Sequence, residues 1–161
     1  MRLNLNNRKT KFIERPEDIA MIEIKESDEI YNGIEFLDYD YNYFIKGYRM
    51  YKGLDVFSIG HPNGGDPKYG NGKIIDIDGS EFYHNISTNY GSSGCPIILL
   101  NDNINLIQVI GIHKEGYESI ELNGGTFIGE IFNKEKKIIM LLKKKMKIII
   151  LYLKYILKMK I

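Results

Sequence analysis

The sequence predicts an all-β fold built around a closed antiparallel barrel, and three observations predict it. Six short apolar runs follow one another at Leu54–Ile59, Gly72–Ile77, Glu81–Ser87, Pro96–Leu100, Asn105–His113 and Thr126–Phe132. Turn-forming clusters separate them at Asp78-Gly79, Gly91–Gly94, Asn101-Asp102-Asn103 and Asn123-Gly124-Gly125, so each run has a strand's length and a strand's boundaries. Closing six such strands into a barrel removes the free edges that an open sheet would expose.

Taken from the start, residues 1–17 are polar and basic. The isoleucine-rich run after Asp18 is short, which favours a strand over a helix. Residues 26–53 are acidic and rich in tyrosine, with Tyr31, Tyr39, Tyr41, Tyr43, Tyr48 and Tyr51 among Asp and Asn. The alternation over Asp38 to Tyr43 suits an exposed strand or hairpin. Interleaved aromatics can stack on bases, but the surrounding negative charge repels phosphate, so no nucleic-acid partner is expected here.

Residues 134–161 change character. Lys143, Lys147, Lys154 and Lys158 fall on one face of a helix, with isoleucines and leucines filling the rest. The segment carries ten lysines against one acid, net +9, while residues 1–133 carry twelve bases against twenty acids, net −8. A cationic amphipathic helix of this kind suits an anionic membrane surface, and the acidic body is the competing contact. Nowhere do eighteen uncharged apolar residues run together, so no conventional transmembrane helix is expected.

With 43% hydrophobic and 27% charged residues, the composition is that of a soluble globular protein. Its 161 residues suffice for one ordinary domain, or for two small barrels if one is incomplete. The single cysteine, Cys95, rules out an internal disulfide framework and reads as a small core residue. The first residues lack the apolar stretch of a signal peptide, so ordinary secretion is not expected if Met1 is the native start, and the compartment stays open. Three histidines and one cysteine show no close-spaced ligand pair, so no metal is expected. No Gly-rich loop ending in Lys-Ser/Thr appears, so no nucleotide and no other cofactor is indicated.

The stretch that organises the chain is Thr88-Asn89-Tyr90-Gly91-Ser92-Ser93-Gly94-Cys95-Pro96, followed by Val109-Ile110-Gly111-Ile112-His113-Lys114. Ser93 stands beside a glycine in a Gly-rich turn, so the chain can bend tightly and present the hydroxyl and its neighbouring N–H groups outward. A Gly-x-Ser-Gly-x-Pro turn before an apolar strand ending in Gly-Ile-His resembles the active-site half of trypsin-like serine endopeptidases. Ser58-Ile59-Gly60-His61-Pro62, Gly72-Lys73-Ile74 and Asn123-Gly124-Gly125 bring it closest to the glutamyl endopeptidase branch. The resemblance covers residues 16–132. The family usually has Ser at Cys95 and often Tyr at His61.

The resemblance implies a trypsin-like double β-barrel whose first barrel is largely missing. Residues 1–30 would be its remnant, 31–53 the connection between barrels, 54–133 the second barrel, and 134–161 a cationic C-terminal helix and tail. It implies that Ser93 is the nucleophile, that the N–H groups of Gly91 and Ser93 form the oxyanion hole, and that Asp18 is the triad carboxylate. Thr88 and His113 match the positions that hold a substrate carboxylate, as a hydroxyl and an imidazole N–H both can. The implied function is hydrolysis of peptide or protein substrates after acidic residues, with Glu preferred.

One part is absent. A serine hydroxyl needs an imidazole to take its proton, and in this family that histidine precedes the aspartate. Residues 1–17 hold none, and neither His61 nor His84 matches the family's histidine motif. The chain as written is therefore expected to be inactive or very weak, either as a truncated fragment of a protease or as a pseudoprotease that binds acidic peptides. A membrane-surface protein acting through residues 134–161 is the further alternative.

Overall fold

The computed structural model describes residues 4–34, 36–40, 42–101, 106–132 and 148–151. In the middle of the chain, strand alternation sets the architecture. Along β4 (Asp55–Gly60), Val56 and Ser58 turn inward while Asp55 and Ile59 face out. β4 pairs antiparallel with β5 (Lys68–Asp78) and with β7 (Pro96–Asn101). β5 continues to β6 (Glu81–His84), β6 to β9 (Leu122–Phe127), and β9 to β8 (Leu106–Tyr117). β8 returns to β7, which closes a six-stranded barrel. Its interior holds Val56, Ile74, Phe82, Ile97, Ile110, Ile112 and Phe127, all buried. Burial of that apolar surface is the main term holding the barrel together.

Two expectations are corrected here. Asn123-Gly124-Gly125 is not a turn but the middle of β9, and the chain reverses instead at Glu118–Ile120. The glycines are there for space. A Cβ on Gly125 would sit 2.3 Å from Phe82 Cζ, and one on Gly124 would sit 2.7 Å from Tyr117 Cε2. The last strand of the barrel therefore ends at Phe127, and Gly129–Phe132 forms a short helical turn, α2, in place of the expected strand to Phe132.

Asp38 to Tyr43, expected as an exposed strand or hairpin, is strand over its first two residues only and is not a hairpin. Asp38–Tyr39 forms β3, parallel to β8, and Tyr43–Lys46 forms one turn of helix, α1. Tyr39, Tyr43 and Tyr51 are buried, and their rings join a stack with Phe127 and Phe132 against the barrel. The acidic character survives because Asp40, itself buried, accepts hydrogen bonds from Tyr51 Oη at 2.8 Å and from Asn42. A paired buried carboxylate avoids the cost of an unpaired one.

The N-terminal hairpin, β1 (Thr10–Ile13) and β2 (Ile19–Glu23), forms a second, three-stranded sheet with β10 (Ile148–Leu151). This corrects the C-terminal helix at those four residues, which are strand. The rest of residues 134–161 lies outside the described residues, and so do Lys143, Lys147, Lys154 and Lys158. Among the described residues, no helix is long and apolar enough to cross a membrane.

Candidate active site

The Gly-rich loop between His84 and β7 is tied at both ends. Asn89 N–H donates to Ser92 Oγ at 3.2 Å, and Ser92 N–H donates back to the Asn89 carbonyl at 3.0 Å. On the far side, Gly94 N–H donates to the His113 carbonyl and His113 N–H to the Cys95 carbonyl, at 2.9 and 2.8 Å. Gly91 and Gly94 hold φ angles of +85° and +90°, a left-handed conformation that a side chain would strain. Those bonds and bends leave Ser93 at the apex, half-buried. The N–H groups of Gly91 and Ser93 have no partner among the described residues.

Ser93, Gly91, Thr88 and His113 line one cleft of about 330 Å³, with Lys114 and Asn123 also on its wall. Four of the five site residues expected from sequence thus meet. Ser93 Oγ donates to the Lys114 carbonyl at 3.0 Å. Thr88 Oγ1 donates to Asn123 Oδ1 at 2.9 Å, and Asn123 Nδ2 donates to the Ile86 carbonyl at 2.8 Å.

Asp18 stands apart from the lining. It lies in the turn between β1 and β2, its carboxylate 3.9 Å from Arg15 Nε. That turn is docked on the barrel by its backbone. Lys114 Nζ donates to the Pro16 carbonyl at 2.9 Å, and Thr126 Oγ1 to the Glu17 carbonyl at 2.6 Å. The Lys114 ammonium is buried and also meets the Glu81 carboxylate. One residue of β8 thus holds the Ser93 hydroxyl through its carbonyl and the Asp18 turn through its side chain.

His84 is the residue that sequence reasoning set aside. It is fully buried, and its Nε2 lies 3.2 Å from Nδ1 of His113. Ile86 N–H donates to His84 Nδ1 at 3.3 Å, which makes that nitrogen the acceptor. Neutral His84 then carries its proton on Nε2 and donates it to His113 Nδ1, which leaves the His113 proton on Nε2. Burial lowers both groups from the ordinary 6.5, His113 to about 4 and His84, which also feels His113, to about 3. The sequence did hold a signal for this pair: Phe82, His84 and Ile86 alternate onto one face of their strand.

His61 lies in the loop after β4, its Nδ1 2.9 Å from the Gly65 carbonyl. None of the three histidines hydrogen-bonds Ser93. Among the described residues, no group of three acidic, His or Cys side chains is placed to hold a metal ion.

Solved structures share this fold. A Glu endopeptidase in complex with MPD aligns over 73% of this chain and 54% of its own, at 23% identity and a TM-score of 0.53. The fold is trypsin-like. Rv3671c from M. tuberculosis H37Rv, a serine-to-alanine mutant in an inactive form, aligns over 81% of this chain and 65% of its own, at 18% identity and a TM-score of 0.52. The chain therefore spans less than two thirds of the length of either structure. No family model and no curated protein matches it.

Proposed function

We propose that these 161 residues form the substrate-side half of a serine endopeptidase site, which takes peptides with an acidic residue before the scissile bond and, as the chain stands, holds them without cutting. The observation that carries this reading is the shared cleft: a Gly-flanked serine, two free N–H groups, a threonine and a buried histidine face one space.

In this reading Ser93 is the nucleophile and the N–H groups of Gly91 and Ser93 receive the oxyanion. The Nε2–H of His113 meets the substrate carboxylate by leaving the Gly124 carbonyl, and the Thr88 hydroxyl joins it by releasing Asn123. Asp18 would orient an imidazole that no histidine here supplies. With its hydroxyl on a backbone carbonyl, Ser93 has no group to take its proton, and loss of a triad member removes most of the rate. Residues 1–30 would then be the remnant of a first barrel, 31–53 the connection, 54–133 the second barrel, and 134–161 the tail. The alternative of a membrane-surface role for the tail has no support in the described strand Ile148–Leu151, which pairs with β2.

Fluorescence anisotropy with a labelled peptide ending in Glu, followed by mass spectrometry of the mixture, tests the proposal. The expected result is saturable binding with the peptide left intact. Turnover that disappears in Ser93→Ala would show a complete catalytic site instead, and no binding would remove the reading.

A further inference from the structure

Behind the Ser93 loop lies a second cavity, of about 260 Å³, walled by the end of β4 and the start of β5. A single water occupies roughly 30 Å³, so the space holds more than one solvent molecule. The loop is a partition: Thr88 and Asn89 line both cavities, Ser93 and His113 only the front one, Ser58, Lys68 and Ser92 only the rear one.

The rear cavity is chemically one-sided. Ser58 is 7% exposed and stands on the inward face of β4, and its hydroxyl has no hydrogen-bond partner among the described residues. Ser92 is 6% exposed; its oxygen accepts from Asn89 N–H, and its own proton has no acceptor among the described residues. Lys68 on the rim forms no ion pair among the described residues. No carboxylate lines the cavity among the described residues. Cys95 adds a thiol that burial holds in its neutral form. Buried hydroxyls without partners cost free energy, and two of them facing a polar space with a cation at its rim complement an acceptor that carries negative charge.

We propose that this cavity is a binding site for a compact oxyanion, held by the hydroxyls of Ser58 and Ser92 and by the Lys68 ammonium. The chemistry is shared by inorganic phosphate, sulfate and a short carboxylate. Because the same loop walls both cavities, an occupant of the rear one bears on Thr88 and Asn89 in the front one. This site is independent of whether Ser93 is catalytic.

The test is a titration of the full 161-residue chain with sodium phosphate, sulfate and acetate in separate arms, at constant ionic strength, followed by residue-resolved amide NMR. Saturable shifts at Ser58, Lys68 and Ser92, with Thr88 and Asn89 moving in step, are expected in at least one arm, and the arm that saturates first names the anion. Lys68→Met, a surface change that leaves the fold intact, should weaken that binding about ten-fold, as loss of a charge-assisted contact does. Ser58→Ala should weaken it further while the melting temperature without anion holds. Flat titrations in all three arms would show that the cavity holds water alone and overturn the proposal. So would saturation that Lys68→Met leaves unchanged.

Discussion

His84 Nε2 and His113 Nδ1 lie 3.2 Å apart in the barrel interior, both rings all but removed from solvent. The pair sets how the chain responds to acid. Each ring has a folded-state pKa below its unfolded value of 6.5, about 3 for His84 and about 4 for His113. The unfolded chain therefore binds protons that the folded chain refuses. Stability is fully present above pH 6.5 and is lost as the pH falls from there toward 4 and then 3. The melting temperature should drop across that window. His84→Leu should flatten the slope, since one of the two protons is then no longer in play. A slope unchanged by the substitution would place the acid response elsewhere.

The same pair gives peptide binding a pH sign. A carboxylate beside His113 favours the imidazolium and so raises its pKa above the value of about 4 in the free chain. Between the free and bound values, binding takes up a proton, and affinity for a peptide ending in Glu should fall as pH rises through that interval. Calorimetry in two buffers of different ionisation enthalpy would read the proton directly. His113→Gln should abolish the uptake.

Ser93 should behave as an ordinary alcohol. Its hydroxyl is spent on the Lys114 carbonyl, so a fluorophosphonate probe should label the chain no faster than a surface serine. Ser93→Ala should cost about 1 kcal/mol or less in stability, the usual net worth of one such hydrogen bond. Rapid labelling that Ser93→Ala abolishes would mean that a base reaches the hydroxyl in solution.

Lys114 carries a larger mechanical load. Its ammonium joins Glu81 on β6 to the Pro16 carbonyl, with 6% of the side chain exposed against 23% for Glu81. Lys114→Met leaves Glu81 facing a partly dry space, and about 2–3 kcal/mol should be lost, below the full figure for a buried pair because Glu81 keeps some water. Lys114→Met with Glu81→Gln should recover much of that. In the single variant, amide exchange should also rise at residues 14–18, which a purely local loss would not cause.

Gly125→Ala tests the strand assigned to β9. The added carbon would meet Phe82 Cζ and, at 2.6 Å, the Ile112 carbonyl. Because backbone as well as ring must move, the change should destabilise the chain by about 1–3 kcal/mol. In a surface turn the same substitution would be nearly silent, so chemical denaturation distinguishes the two placements.

Those glycines also show where the sequence misleads. Asn-Gly-Gly has the composition of a turn, and only the position of the Phe82 and Tyr117 rings, supplied by other strands, explains it as strand. The barrel itself was legible because β-alternation and turn residues are local signals, and the Ser93 loop was legible because its glycines answer to local dihedral needs. The partnership of His84 with His113 was half legible: alternation gives the shared inward face, but register across the barrel sets the 3.2 Å distance. Tyr39 and Tyr43 read as surface because Asp and Asn surround them. Tertiary stacking on Phe127 and Phe132 decided otherwise. Lys114 gave no local sign of its role, since the Glu81 carboxylate and the Pro16 carbonyl that it joins come from distant segments.

The pairing of β10 with β2 has a consequence for the order of events during synthesis. One strand precedes the barrel in sequence and the other follows it, and β10 covers one edge of the N-terminal hairpin at Ala20, Met21, Ile22 and Glu23. On the ribosome β2 emerges before the barrel, and its edge stays bare until Ile148–Leu151 has been made. The barrel, whose strands are neighbours in sequence, can close in the meantime. The hairpin edge is thus a surface that a nascent chain leaves exposed after the barrel can close, and one a holding chaperone would meet.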